Sequence, residues 1–232
     1  MTTSEAPVPG DPDHGVAGRA TSTLYRLLVV GLLLAISVTP TVVLLFLIAP
    51  DPSNVPLAVG SAVFVGPALS AAFFALGAKA RDDGLTPAPA FVKGYRMNLG
   101  DVLKIWVPGL LALAVLSWTT VNIAVAGVPV WWAGILIGLA VILLLWMVQA
   151  TVIASFFSFR GRDTARLALY FLGRLPRVTL AVVSAVVLAG AVVFLTTPAV
   201  LAAFGVLLVA LLLHWEKPLL AEVRLRFVAT VD

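Results

Sequence analysis

The sequence predicts an all-α membrane protein: a polytopic bundle of six transmembrane helices, paired as three hairpins, with two amphipathic helices at the cytoplasmic interface. Of its 232 residues, 61% are hydrophobic and only 11% are charged. A soluble domain has about 45–50% apolar and about 25% charged residues. The charged residues are also confined to a few segments. Because so little polar surface cannot cover so much apolar surface, a soluble fold is excluded.

Three apolar stretches define the predicted spans: 27–78, 105–159 and 178–215. The first contains Asp51 as its only charged residue, and the other two contain none. A helix needs about 20 apolar residues to cross a bilayer, so each stretch is long enough for two crossings. Turn-forming residues around Asp51, Gly127 and Pro198 divide the stretches near their middles. The predicted spans are 26–49, 55–78, 105–126, 130–158, 178–196 and 198–215.

The basic residues predict the orientation of these spans. All 15 lie outside the apolar stretches, and none lies at a hairpin tip. The positive-inside rule therefore places both termini and both connections between hairpins in the cytoplasm. A single crossing in the third stretch would place Lys217, Arg224 and Arg226 outside, so two crossings are favoured. The predicted domains are a disordered cytoplasmic tail at 1–23, a membrane domain at 24–216 and a cytoplasmic tail at 217–232.

The two cytoplasmic connections have the pattern of amphipathic helices. In the first, Thr86 is a typical helix start, and Phe91, Tyr95 and Leu99 recur at four-residue spacing. The second, over 163–177, repeats this scheme with arginines on the other side. Both helices are expected to lie in the membrane interface with their basic faces toward lipid headgroups.

Tryptophans are expected to anchor the bundle at the two membrane interfaces. Trp131 and Trp132 follow the second hairpin tip, whereas Trp106 and Trp215 adjoin cytoplasmic charges. Amphipathic rings favour the headgroup level.

Several residues within the spans are expected to shape the packing. Gly66 and Pro67 are expected to kink the second helix, because proline removes a helical hydrogen bond. The residues Thr151, Ser155 and Ser158 share one face of the fourth span and are expected to bond to neighbouring helices. Gly134 and Gly138 permit close packing, either within the chain or between copies in a homo-oligomer.

The second span and the segment after it resemble a known family. The Gly66-Pro67 break, a basic exit from the span and the motif FVKGYRMN at 91–98 resemble the YesL family of bacterial membrane proteins. That family has a Pro-containing second span, followed by an aromatic-x-x-x-aromatic-basic-x-Asn motif. The resemblance implies a location in the bacterial plasma membrane. Some members are encoded beside carbohydrate-uptake systems, which implies a role in sugar utilisation.

No catalytic, cofactor-binding or metal-binding set can be assembled from the sequence. There is no cysteine, the two histidines are His14 and His214, and the adjacent carboxylates Asp82 and Asp83 lie in a Gly-containing turn. The spans lack the ionisable residues that are typical of ion-coupled transporters. We therefore expect no enzymatic activity, no cofactor and no metal. Because topology accounts for the basic residues, we expect no nucleic-acid partner.

These expectations lead to one hypothesis and one alternative. The hypothesis is an accessory or assembly partner in a membrane system, with carbohydrate uptake the first system to consider. Its candidate docking residues for another membrane or cytosolic protein are Phe91, Tyr95, Arg96 and Asn98. Asn98 has a second interpretation, as a helix-surface amide bonded to nearby backbone. The alternative function is a passive or partner-dependent permease for a small solute, built on the kink at Gly66 and Pro67.

Overall fold

The computed structural model describes residues 16–77, 84–157 and 159–227, and the side chains of 20–77, 84–157 and 159–225. The residues His14, Asp82, Asp83 and Ser158, for which the sequence makes predictions, lie outside the described residues.

The described part of the chain is helical and contains no strand. In order, the helices are α1 (Val16–Leu47), α2 (Val55–Ser61), α3 (Val65–Leu76), α4 (Pro87–Val121), α5 (Trp131–Phe156), α6 (Gly161–Arg174), α7 (Pro176–Leu195), α8 (Pro198–Trp215) and α9 (Lys217–Phe227). Six segments are long and apolar enough to cross a membrane: α1, the stretch from Pro52 to Leu76, α4, α5, α7 and α8. The predicted all-α fold is confirmed, with two separate helices in the third apolar stretch.

The helices pack as three hairpins that are joined side by side. Within the hairpins, α1 contacts α3, α4 contacts α5 and α7 contacts α8. Between the hairpins, α3 packs on both α4 and α5, while α1 packs on α8. The first turns of α1, the start of α4 and the end of α8 line one cavity, so these segments meet at one end of the bundle. We call it the basic end, because it carries residues such as Arg26, Lys93 and Lys217.

The first connection does not form a separate interfacial helix. Helix α4 runs for 35 residues without a break, although it contains Pro108, and it joins the predicted connection helix to the third span. Thr86 is at its N-cap position, as predicted. The apolar row packs against α3 rather than lying flat: Phe91 is 3% exposed and belongs to a cluster with Phe74. Phe91 is therefore buried inside the protein, while Tyr95 and Leu99 are half-buried.

The second connection forms the separate helix α6. It begins at Gly161, with Arg160 at the N-cap position, a few residues before the predicted start. Phe171 is fully buried against the bundle, and Arg174 forms an ion pair with Glu222 of α9 at 3.2 Å. This helix is therefore attached to the bundle through its apolar face and through α9.

Both predicted tails contain helix. Helix α1 begins at Val16, so the last residues of the predicted disordered tail at 1–23 are helical, because they extend the first span. The tail predicted at 217–232 contains α9, in which Leu219 and Val223 are fully buried. They join the same cluster as Val102, so α9 folds back against the bundle.

Candidate functional site

A buried hydrogen-bonded network joins α3, α4 and α5. Asn98 Nδ2 donates to the Ser70 hydroxyl at 3.1 Å and to the Ser155 carbonyl oxygen at 3.4 Å. The hydroxyl oxygens of Ser70 and Ser155 are 2.8 Å apart, and Ser155 Oγ lies 2.6 Å from the carbonyl oxygen of Thr151. Since each hydroxyl has one proton, Ser155 donates to that carbonyl and Ser70 donates to Ser155. The network therefore closes between three helices.

A second bond extends the network along α5. Trp106 Nε1 donates to Thr151 Oγ1 at 2.7 Å, and Thr151 Oγ1 donates to the Met147 carbonyl oxygen at 2.8 Å. The interhelical bonds predicted for Thr151 and Ser155 are present. The prediction that Trp106 anchors at the interface is wrong: its side chain is 3% exposed, because this position on the continuous α4 faces α5.

The four candidate docking residues divide into two pairs. Phe91 and Asn98 are 3% and 6% exposed, so they are part of the packed core and not a surface for a partner. Tyr95 is half-buried and stacks on Phe91, with ring centroids 6.4 Å apart. Arg96 is exposed. The correction follows from α4: its buried face includes Phe91 and Asn98, and only the opposite face is open.

The second span is interrupted a few residues before the predicted kink at Gly66 and Pro67. The 3-10 turn Ala62–Phe64 separates α2 from α3, and Gly66 and Pro67 lie in the first turn of α3. A Cβ atom at Gly66 would lie 2.5 Å from the Trp106 ring. Gly66 is thus needed for the close approach of α4, a role that is distinct from the break itself.

Three further glycines permit close helix contacts that the sequence did not reveal. A Cβ atom at Gly94 would lie 2.7 Å from Phe74, one at Gly109 would lie 2.5 Å from Met147, and one at Gly77 would lie 2.5 Å from Phe156. The available signal is the spacing of Phe91, Gly94 and Asn98, which places a small residue on the buried face of α4. At Gly134 and Gly138, no described atom lies within 4 Å of such a Cβ, so their role between copies stays a prediction.

Two cavities lie along α1, α3 and α8. One, of about 550 Å³, opens at the basic end and is lined by Arg26, His214 and Lys217. The other, of about 280 Å³, is apolar and lies among the spans. Thr41 lines the second cavity, and its hydroxyl donates to the Ser61 carbonyl oxygen at 2.7 Å. The two cavities therefore differ in chemistry while sharing the same helices.

Gln149 is fully buried in α5, and neither atom of its amide has a hydrogen-bond partner. A buried polar group without a partner destabilises a fold by about 1–3 kcal/mol. The Gln149 amide therefore takes no part in the hydrogen-bonded network around Asn98.

Glu216, which follows the last span, is a second buried group without a partner. Its side chain is fully buried and both carboxylate oxygens lack a hydrogen bond. Burial disfavours the charged form and raises the pKa of Glu216 to about 8. The carboxyl is therefore held neutral at pH 7 between α8 and α9.

Among the described residues, no three His, Asp or Glu side chains lie close enough to hold a metal ion. The chain also matches no family model, no curated protein and no solved structure. Its candidate site is therefore defined by its own geometry: a closed polar network in the bundle, two cavities and an open face on α4.

Proposed function

We propose that this chain is a multi-pass protein of the bacterial plasma membrane that works as an accessory or assembly partner of another membrane component. The observation that supports this is the open face of α4 near the basic end. Val92 and Met97 are 44% and 52% exposed there, and the exposed Arg96 lies between them around the helix. The half-buried Tyr95 lies next to Val92, at the edge toward Phe91. We call these four residues the docking face.

The length of α4 supports the placement of this face outside the hydrocarbon core. Its 35 residues span about 52 Å at 1.5 Å per residue, whereas the hydrocarbon core is about 30 Å thick. The docking face lies in the first three turns of the helix. Apolar side chains that are exposed beyond the hydrocarbon and accompanied by a cation are typical of an interaction surface.

The proposed orientation places the basic end in the cytoplasm, following the positive-inside rule. Since the chain has no cysteine, single cysteines report directly on sidedness. Cysteines at the hairpin tips, at Asn54, Gly127 and Thr197, should be labelled from outside the cell. Cysteines at Gly84, Gly161 and Arg224 should not. Labelling of Arg224→Cys from outside would contradict the orientation.

The docking face is tested by comparing two double variants. Arg96→Ala with Met97→Ala removes its charged and apolar centre, and contacts central to an interface typically cost more than 1 kcal/mol when truncated. Lys104→Ala with Val107→Ala is the matched control, because both residues are exposed on the same helix outside the face. We expect a partner protein to co-purify with the unmodified chain and with the control variant. The recovered amount of this partner should fall at least fivefold with the first variant. Equal recovery with both variants would contradict the docking face.

The resemblance to the YesL family leads us to propose membership of it, and it names the system in which to look first. We propose that the partner belongs to a sugar-uptake system of the bacterial membrane. The co-purifying protein should then be a component of such a system. Cells that lack this chain should take up sugar more slowly, although the level of that component is unchanged.

A small-solute permease is the second candidate, and the buried, unpartnered amide of Gln149 in α5 favours it. A passing polar solute could bond to that amide. The purified chain in liposomes would then move solute without a partner, and Gln149→Leu would slow the flux. Flux by the chain alone would favour the permease over the assembly role.

A further inference from the structure

The two cavities described above follow one another along α1 and α3. On α1, Arg26 lines the basic-end cavity and Leu34 lines the apolar cavity. They are two steps of four residues apart, which places them on one face and about 12 Å apart along the axis. On α3, Leu76 lines the first cavity and Phe73 the second. The fully buried Val30 lies between Arg26 and Leu34 on α1, so a ligand that occupies both cavities has to pass beside this side chain.

The basic-end cavity has the chemistry of an anion site. Arg26 donates from Nη1 to the Ala75 carbonyl oxygen at 2.8 Å and from Nη2 to the Leu85 carbonyl oxygen at 3.1 Å, which fixes its guanidinium in the cavity wall. Lys217 is exposed at the same cavity, with its Nζ 3.4 Å from Nδ1 of His214. Among the described residues that line this cavity, none is acidic.

The second cavity has the chemistry of a site for a hydrocarbon chain. Of the described residues that line it, Thr41 alone has a polar side chain, and its hydroxyl already donates to the Ser61 carbonyl oxygen. A polar solute such as a sugar would lose its hydrogen bonds with water there and regain few of them. An acyl chain makes no hydrogen bonds with water and would therefore lose none in this cavity.

We propose that these two cavities form one binding site for an acidic phospholipid, with the phosphate headgroup at Arg26 and Lys217 and an acyl chain in the apolar cavity. Basic pockets between transmembrane helices are typical sites for acidic lipid headgroups. The basic-end cavity by itself would suit free phosphate equally well. The apolar cavity that follows it along α1 and α3 is what favours a lipid.

The headgroup is tested on the full chain in neutral detergent at about 150 mM salt, by native mass spectrometry with phosphatidylglycerol and phosphatidylcholine as probes. The chain should retain phosphatidylglycerol in preference to phosphatidylcholine. Lys217→Gln should weaken the retention about fivefold, the effect of one basic residue near an acidic lipid. Arg224→Gln is the matched control: it removes one exposed charge from the same helix, outside the cavity, and should leave retention unchanged. Equal retention of both lipids, or an equal effect of the two variants, would overturn the proposal.

The acyl chain is tested by filling the apolar cavity. Ala202 lines it, whereas the neighbouring Ala203 is exposed on the outside of α8. Ala202→Phe should therefore abolish retention of phosphatidylglycerol, and Ala203→Phe should not. If inorganic phosphate displaces the lipid and Ala202→Phe has no effect, the site binds a free anion and the lipid proposal is wrong. A dimer mass that disappears with Ala202→Phe, while the lipid adduct persists, would assign the cavity to a second copy of the chain and would also overturn it.

Discussion

The two halves of the bundle are held together in different ways. In the half formed by α3, α4 and α5, which we call the tight half, four glycines described above permit close helix contacts, and a Cβ atom at any of them would lie 2.5 to 2.7 Å from the nearest side chain. In the half formed by α1, α7 and α8, the loose half, one close contact occurs, since a Cβ atom at Gly31 would lie 2.9 Å from Val206, while Gly205 has ordinary contacts at 3.7 Å and Gly190 has no described neighbour within 4 Å. In the tight half, 50% of the apolar stretch of the second span, 28% of that of α4 and 33% of that of α5 are buried, compared with 22%, 11% and 17% for α1, α7 and α8.

The polar side chains differ in kind between the halves. The tight half contains side-chain bonds between helices, around Asn98 and between Trp106 and Thr151. From α1, by contrast, Thr41 and Arg26 donate to backbone carbonyl oxygens in the bonds described above. Apolar burial gives little preference for helix contact over lipid contact, so close packing and interhelical hydrogen bonds decide which helices associate in a membrane. The tight half is therefore the framework of the fold, and the loose half leaves room for a ligand.

The largest expected effect is that of Gly66→Ala, which places a methyl group 2.5 Å from the Trp106 ring. The ring is fixed by its bond to Thr151, so it cannot move aside without loss of that bond. Overpacking typically destabilises by about 1–3 kcal/mol, and with the broken bond we expect about 3 kcal/mol or more. The measurement is the unfolding of the detergent-solubilised chain in SDS.

The matched control for this comparison is Gly190→Ala in the loose half, where a methyl group meets open space. Alanine favours the helix over glycine by up to about 1 kcal/mol, so this variant should be neutral or slightly stabilised. Equal destabilisation by the two variants would contradict the division into halves.

The number of spans could be predicted from the sequence, because the bilayer thickness sets the helix length and charges are confined to the segments between hairpins. The facing of most helices could not. When a helix is apolar all round, as α8 is over 198–213, the pattern does not indicate which side faces protein; in α5, by contrast, Thr151 and Ser155 indicated the buried side. Trp106 illustrates this: Lys104 two residues earlier indicated the interface, but the direction of its side chain depends on the continuous path of α4.

Glu216, between α8 and α9, makes the stability of the folded chain depend on pH. The pKa of Glu216 is about 8 in the folded chain and near 4.5 when unfolded, so the folded chain binds more protons between these values. Stability should fall as pH rises from about 4.5 to about 8 and then level off. Glu216→Gln removes this slope and should stabilise by about 3 kcal/mol at pH 7, at 1.36 kcal/mol per pKa unit.

Unfolding at pH 4.5, 7 and 9 measures this effect. The unmodified chain and Glu216→Gln should be nearly equal at pH 4.5 and differ most at pH 8 and above. A difference that is the same at all three pH values would show that Glu216 does not titrate with the raised pKa.

Two buried amides should respond in opposite directions. Asn98→Ala removes the donor to the Ser70 hydroxyl and creates a cavity between three helices. It should destabilise the fold by about 1–2 kcal/mol. Gln149→Leu removes an amide that has no partner and should stabilise by about 1–2 kcal/mol. SDS unfolding of both variants measures the pair. Destabilisation by Gln149→Leu would mean that its amide has a partner, such as a buried water molecule.

Asn98 also shows how far a site can be predicted. Its place in the motif at 91–98 makes it a candidate docking residue, and the structure gives its amide two hydrogen bonds, to Ser70 and to Ser155. The prediction that Asn98 lies at a surface is wrong, because the first connection is not a separate helix but the first part of α4. Exposed neighbours such as Val92 and Met97 carried no signal, since an apolar residue on an amphipathic helix is ordinarily expected to be buried.

The smallest expected effect concerns the bond between α1 and the broken second span. Thr41→Val removes the donor to the Ser61 carbonyl oxygen while keeping the shape of the side chain, and intramembrane bonds of this kind contribute about 0.6 kcal/mol. Thr39→Val is the matched control, because the Thr39 hydroxyl is exposed and bonds to Ala35 within its own helix. We expect a loss of about 0.5 kcal/mol for Thr41→Val and almost none for Thr39→Val in SDS unfolding. A loss for Thr41→Val as large as that for Asn98→Ala would mean that α1 belongs to the framework, and the boundary between the halves would then run between α1 and α8.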